Sequence, residues 1–150
     1  MLDAATFADI IRLTPLVALD LIVRDAEGRV LLGLRRNQPA QGYWFVPGGR
    51  IYKNERLDDA FLRLTTKELG VPLQRSQARL LGLYEHIYDD NVFNADFGTH
   101  YVVNGYELTL STSILPEAFA AQHHDARWMT VSDLLAAEDV HENTKAYFRN

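Results

Sequence analysis

Residues 48 to 71 carry a glycine pair at 48–49, a glutamate at 55, an arginine at 63, a glutamate at 68 and a glycine at 70. A glycine pair lets the backbone turn sharply and present carbonyl or amide groups to a ligand. A helix with carboxylates at i, i+3 and i+4 could hold several hard cations on one face. Here those places are Leu64, Lys67 and Glu68, so one carboxylate remains beside a lysine that repels a second cation. Glu68 and the Gly49 carbonyl are therefore candidate ligands for a hard cation. Arg35 shares a strand face with Gly33, so its fork could reach across open space to a phosphate, and Arg50 follows the glycine turn. Activating a water needs a proton acceptor with a pKa near the operating pH, which histidine provides. His123 and His124 are adjacent and both are candidates. Asp20 stands mid-strand among apolar residues, where an unpaired carboxylate is costly. A sugar hydroxyl, a nearby arginine or a structural hydrogen bond would satisfy it. His86 and Tyr101 are further candidate ligands for phosphate or sugar, with core packing or an ordinary hydrogen bond as the alternative.

These residues must be positioned by a small set of elements. Asp3 caps a short helix with Phe7, Ile10 and Ile11 at helical spacing and Pro15 beyond its end. Residues 15–24 alternate as a strand, with Val17, Leu19, Leu21 and Val23 on one face and Leu16, Ala18, Asp20 and Ile22 on the other. The turn at 25–28 leads into a second strand at 29–35, a hairpin pattern. Trp44 to Val46 reads as a short strand ending at Pro47-Gly48-Gly49. Residues 57–69 read as a helix that turns Ala60, Phe61 and Leu64 inward, with Gly70 past its end. Strands at about 79–88 and 100–110 follow, then a short strand near 127–129 and helices at about 132–137 and 143–148. Mixed strands with helices on either side make an α/β or α+β fold.

At 150 residues the chain suits one domain, residues 1–150, and can bury a core without disulfides or a structural metal. Cysteine is absent, which excludes thiol catalysis and fits a reducing, cytoplasmic compartment. The N-terminus lacks the basic and apolar regions of a signal peptide, and no apolar run is long enough to span a bilayer. A formal charge of −5 disfavours polyanions, so nucleic acid is not an expected partner.

Gly49, Glu55, Arg63, Glu68, Gly70 and Val71 fall at the spacings of the Nudix box, G-x5-E-x7-R-E-U-x-E-E-x-G-U, where U is aliphatic. Leu64 and Lys67 replace two of its metal-binding glutamates, and Thr65 takes an aliphatic place. The chain thus resembles the Nudix hydrolases. Within them it is similar to the GDP-mannose mannosyl hydrolase subfamily, through segments 14–20, 37–50, 86–91 with 99–103, and 122–128. The resemblance implies the Nudix α/β/α sandwich with a mixed β-sheet and typically a homodimer. It also implies a nucleotide sugar as small-molecule partner and one Mg²⁺ per subunit, with Mn²⁺ as a substitute. It further implies Gln122 as a metal ligand and His123 as the base. Arg35 and Arg50 would contact the diphosphate, and Asp20, His86 and Tyr101 the substrate. Arg63 would hold the loop through Glu55 or Glu68.

The implied reaction is attack of water at C1 of the sugar, giving GDP and free mannose with inversion; GDP-glucose is a second candidate substrate. Two other readings compete. A conventional pyrophosphatase would send water to phosphorus, and a non-catalytic module would bind a nucleotide sugar without cleaving it.

Overall fold

The computed structural model describes residues 2–111, 115–123 and 125–149. Its centre is β1 (Leu16–Arg24), whose side chains are buried on both faces apart from Val17 and the partly covered Asp20 and Arg24. Such double burial needs cover on both sides. β1 pairs in parallel with β6 (Thr99–Thr109), from Leu16 opposite Tyr101 to Arg24 opposite Thr109. β6 pairs antiparallel with the edge strand β5 (Arg79–Tyr88). On its other side β1 meets β2 (Val30–Leu34) and β4 (Gly48–Arg50), and β2 meets β3 (Trp44–Phe45) and β7 (Ala126–Met129). The result is one seven-stranded mixed sheet.

α2 (Leu57–Leu69) covers one face. Its buried Ala60, Phe61, Leu64, Thr65, Glu68 and Leu69 recur at helical spacing, and it ends on Gly70 with φ 72°. Ala60, Phe61, Leu64 and Leu69 pack with Leu19, Leu21, Val23 and Leu31 of the sheet. α4 (Val131–Ala136), α5 (Glu142–Lys145) and the 3₁₀ turn at Ala146–Phe148 lie against the other face. There Leu134 and Tyr147 meet Ile22, Val30, Leu32, Trp44 and Val46. This is the α/β/α sandwich that the family resemblance implied. α1 (Ala4–Leu13) is capped by Asp3, whose side chain accepts from the Thr6 amide at 2.8 Å. Among the described residues no helix is long and apolar enough to cross a membrane.

Two features depart from the sequence reading. Residues 48–50 form a strand, not only a turn, pairing Asp20, Leu19 and Ala18 of β1 with Gly48, Gly49 and Arg50. A central strand cannot leave its backbone groups unpaired, and this segment supplies partners for them. A short α3 (Glu117–Ala120) also appears, anchored by the fully buried Phe119.

Two of the altered box positions, Leu64 and Thr65, have packing roles. Thr65 is sealed in the core, donates to the Phe61 carbonyl at 3.0 Å and accepts from the Leu73 amide at 3.0 Å, tying down the chain after α2. Arg63 chooses Glu55 over Glu68. It holds both carboxylate oxygens, at 2.7 and 2.9 Å, and donates to the Arg50 carbonyl at 2.9 Å. That contact keeps the Glu55 pKa below its usual value, with the Arg63 hydrogen bond the main cause. A lowered folded pKa gives stability that is present above the unfolded pKa and lost as pH falls through the folded one. Arg63→Ala should therefore cost about 2 kcal/mol at pH 7 in urea unfolding, since it removes charge-assisted hydrogen bonds. The difference from the unmodified chain should shrink as acid protonates Glu55.

Candidate active site

Six of the predicted residues, Asp20, Arg35, Gly49, Arg50, His86 and Tyr101, line a single cleft of about 120 Å³, with Phe45 and Tyr88 among its walls. The sheet explains their convergence. Leu16, Tyr101 and His86 are neighbours across β1, β6 and β5, and Arg50 sits opposite Ala18 on β4.

Asp20 is held by a residue that the sequence did not suggest. The Tyr147 hydroxyl donates to its Oδ2 at 2.6 Å from the C-terminal turn. Its Oδ1 lies against Gly48, where a Cβ would come within 2.5 Å of it. Burial pushes the Asp20 pKa up to about 7, while the Tyr147 hydrogen bond and the Arg35 charge pull it down. His86 is 4% exposed, and its Nε2 has no partner among the described residues. Burial, with His141 nearby, pushes its pKa down to about 4, so the ring is neutral at neutral pH. Burial also raises the Tyr101 phenol, which stays a hydrogen-bond donor.

Glu68, Gln122 and His123, the second set of predicted residues, do not line this cleft. Arg35 links the two groups, since its charge bears on Asp20 and Tyr101 as well as on Glu68 and His123. Its Nε donates to the Pro39 carbonyl at 2.8 Å, and its guanidinium lies 5.8 Å from the Phe45 ring centre.

Glu68 is 7% exposed, and its Oε2 has no hydrogen-bond partner among the described residues. Burial pushes its pKa up to about 7 against the charges of Lys67 and Arg35. Gln122 Nε2 donates to the carbonyls of Lys67 and Ala118 at 3.0 and 2.9 Å, which leaves Oε1 as its acceptor. The His123 ring packs on Phe119 with centroids 4.2 Å apart. A Cβ on Gly33 would meet that ring at 2.6 Å, so only glycine admits it there. His123 Nδ1 lies 2.9 Å from the Phe119 carbonyl, which can only accept; the proton therefore sits on Nδ1 and Nε2 is the basic nitrogen. Burial, then Arg35 and Arg36, lowers the His123 pKa, so the ring is a free base at neutral pH. His124, the other candidate base, lies outside the described residues.

This donor set fits one hard cation. A buried carboxylate oxygen without a partner is costly unless a proton or cation meets it, and carbonyl oxygens such as those of Gln122 and Gly49 are ligands of the right kind. Among the described residues no cluster of three or more His, Asp or Glu side chains is arranged to hold a metal. Leu64, where the usual box has a glutamate, is 1% exposed and reaches to Gly49, where a Cβ would lie 2.5 Å from its Cδ2.

Residues 14–149 match the NUDIX domain. Over 96 residues the chain is 47% identical to the low-salt glycan biosynthesis protein Agl8 of Haloferax volcanii, covering 64% of this chain and 60% of that protein. The match thus spans less than two thirds of that curated relative. The fold is similar to a MutT NUDIX hydrolase from Burkholderia pseudomallei, with TM-score 0.69 and 25% identity over 89% of this chain and 95% of that one. It is also similar to the NUDIX domain of Shewanella oneidensis NrtR in complex with ADP ribose, with TM-score 0.66 and 20% identity over 99% and 96% of the two chains.

The raised Asp20 pKa has a measurable consequence. Folded Asp20 keeps its proton where an unfolded aspartate, with a pKa of 3.8, has lost it. Its contribution therefore falls as pH rises from the unfolded toward the folded value, and then levels off. Between pH 5 and pH 7 the unmodified protein should lose roughly 2 kcal/mol more stability than Asp20→Asn, as read by urea unfolding at each pH.

Proposed function

The chain belongs to the NUDIX domain family, and from that premise we propose that it hydrolyses a nucleoside diphosphate sugar by attack of water at C1. GDP-mannose is the substrate this reading favours and GDP-glucose the second, with GDP and the free, inverted sugar as products. The observation that carries it is the burial of Leu64 against Gly49, which commits a box position to packing and leaves Glu68 as the one carboxylate for a cation. Activation of phosphorus by several cations is then out of reach, whereas a diphosphate held by one cation and two arginines is a good leaving group. The relative from Haloferax is named for glycan biosynthesis, a process that consumes activated sugars, which supports a substrate of this class.

The reaction needs few groups. Arg35 and Arg50 hold the diphosphate, with Tyr101 donating from the cleft wall. Asp20 and His86 meet the sugar, and Asp20, when ionised, balances positive charge growing at C1. His123 Nε2 takes the proton of the attacking water while Nδ1 keeps its bond to the Phe119 carbonyl. The new bond joins water oxygen to C1; the bond from C1 to the β-phosphate oxygen breaks and its electron pair leaves with GDP. No general acid is needed, in contrast to ordinary glycosidases with their paired carboxylates. Glu68, the Gly49 carbonyl and Gln122 Oε1 would hold Mg²⁺, or Mn²⁺ in its place, and when bound it neutralises charge on the departing diphosphate.

One observation favours the non-catalytic reading: His123 packs on Gly33 and Phe119 and does not line the cleft. Turnover of GDP-mannose in ¹⁸O-labelled water separates the readings. Label in free mannose with unlabelled GDP is the expected result. Label in GMP or mannose 1-phosphate would return the protein to pyrophosphatase chemistry, and no turnover of any nucleotide sugar would favour the binding module. His123→Gln should lower kcat by about 10²–10⁴-fold while GDP affinity is kept, the usual scale of general-base catalysis. Removing the divalent ion with EDTA should abolish turnover.

A further inference from the structure

Rings, not carboxylates, hold the guanidinium of Arg50. Its Cζ lies 4.7 Å from the centre of the Phe7 ring and 5.0 Å from that of Tyr52. The same Tyr52 ring carries Arg63 at 3.9 Å. Arg63 is fixed by Glu55 and donates to the Arg50 carbonyl, so one end of the run Phe7–Arg50–Tyr52–Arg63 is anchored on the box. The other end is α1, where Phe7 also meets Phe93 edge-on with centroids 5.9 Å apart. Among the described residues no carboxylate stands within ion-pair distance of Arg50.

This arrangement has a physical logic. A cation–π contact orients a guanidinium through its flat face and leaves all five of its N–H donors unspent. A carboxylate partner would occupy two of those donors and compete with an incoming phosphate. Arg50 lines the cleft, so its donors are presented where the diphosphate is read to lie. α1 precedes the part of the chain that matches the family domain, and Ile11 is its only buried side chain. Phe7 is therefore a residue from outside the matched domain brought to a residue of the site.

We propose that Phe7 and Tyr52 are positioning residues that hold Arg50 ready for a diphosphate, and that α1 is thereby part of the binding site. The proposal rests on the reading of the cleft as a nucleoside diphosphate site, and its test separates the two.

The first readout needs no ligand. In the unmodified protein the Arg50 Hε signal in NMR should be shifted upfield by ring currents, and Phe7→Leu or Tyr52→Leu should move it toward the position of a free arginine. A signal that neither variant moves would overturn the proposal. The second readout is GDP affinity by calorimetry with Mg²⁺ present. Phe7→Leu should weaken binding by about 2- to 5-fold, the usual size of an exposed to partly buried cation–π contact. In an Arg50→Gln background the same change should have no effect, because neighbours that act through one another are not additive. Equal losses in both backgrounds would mean that Phe7 serves the nucleobase or only the folding of α1, and would sink the proposal. A protein that binds no GDP, yet whose Arg50 signal moves as expected, would sink the nucleotide reading and leave the positioning role supported.

Discussion

The carboxylate of Glu68 is nearly sealed from solvent, yet one of its oxygens has no hydrogen-bond partner among the described residues. An unpaired ion in such a place costs several kcal/mol, so the group either keeps a proton or meets a cation. Its pKa of about 7 expresses that balance. The neighbourhood answers to the same constraint. Lys67 and Arg35 lend positive potential, Gln122 turns its amide nitrogen to backbone carbonyls, and Leu64 fills the space beneath Gly49 with carbon. Under the proposed reading, this leaves a place for one cation and none for a second.

Arg35 carries the consequence from this centre to the cleft. Its charge bears on both Glu68 and Asp20, two carboxylates whose pKa values are pushed up to about 7. It also adds to the burial that keeps His123 and His141 neutral. The pattern is that of a functional site: acids raised, bases lowered, all toward the range in which proton and charge transfers are cheap. Tyr147 tempers it by bonding Asp20 Oδ2, which turns that carboxyl group and favours its ionised form.

Much of this was legible in the sequence because it depends on periodicity and on anomalies within it. β1 and α2 alternate or repeat strongly, and the elements appear at residues 16–24 and 57–69 close to where the pattern placed them. Asp20 stood out because a carboxylate interrupts an apolar strand face. The strand at Gly48–Arg50 was not visible, since glycines have no side chains to alternate. Tyr147 was not visible either: it bonds a residue at the far end of the chain, and an aromatic residue in a short C-terminal helix carries no sign of its partner. Nor could spacing reveal that His123 would pack on Gly33, outside the cleft that holds Asp20 and Arg50. Short motifs give residue types and local order; the distances between motifs come from the sheet.

If Glu68 is the one carboxylate that takes a divalent cation, and the packing of Leu64 leaves no place for a second, the bound ions can be counted. Titration of Mn²⁺ into the protein without nucleotide, which would itself chelate the ion, followed by electron paramagnetic resonance of the free ion, counts the bound cations directly. One tightly bound Mn²⁺ per chain, lost in Glu68→Gln, is the expected result. Two or more tight ions per chain, or one that survives Glu68→Gln, would contradict it.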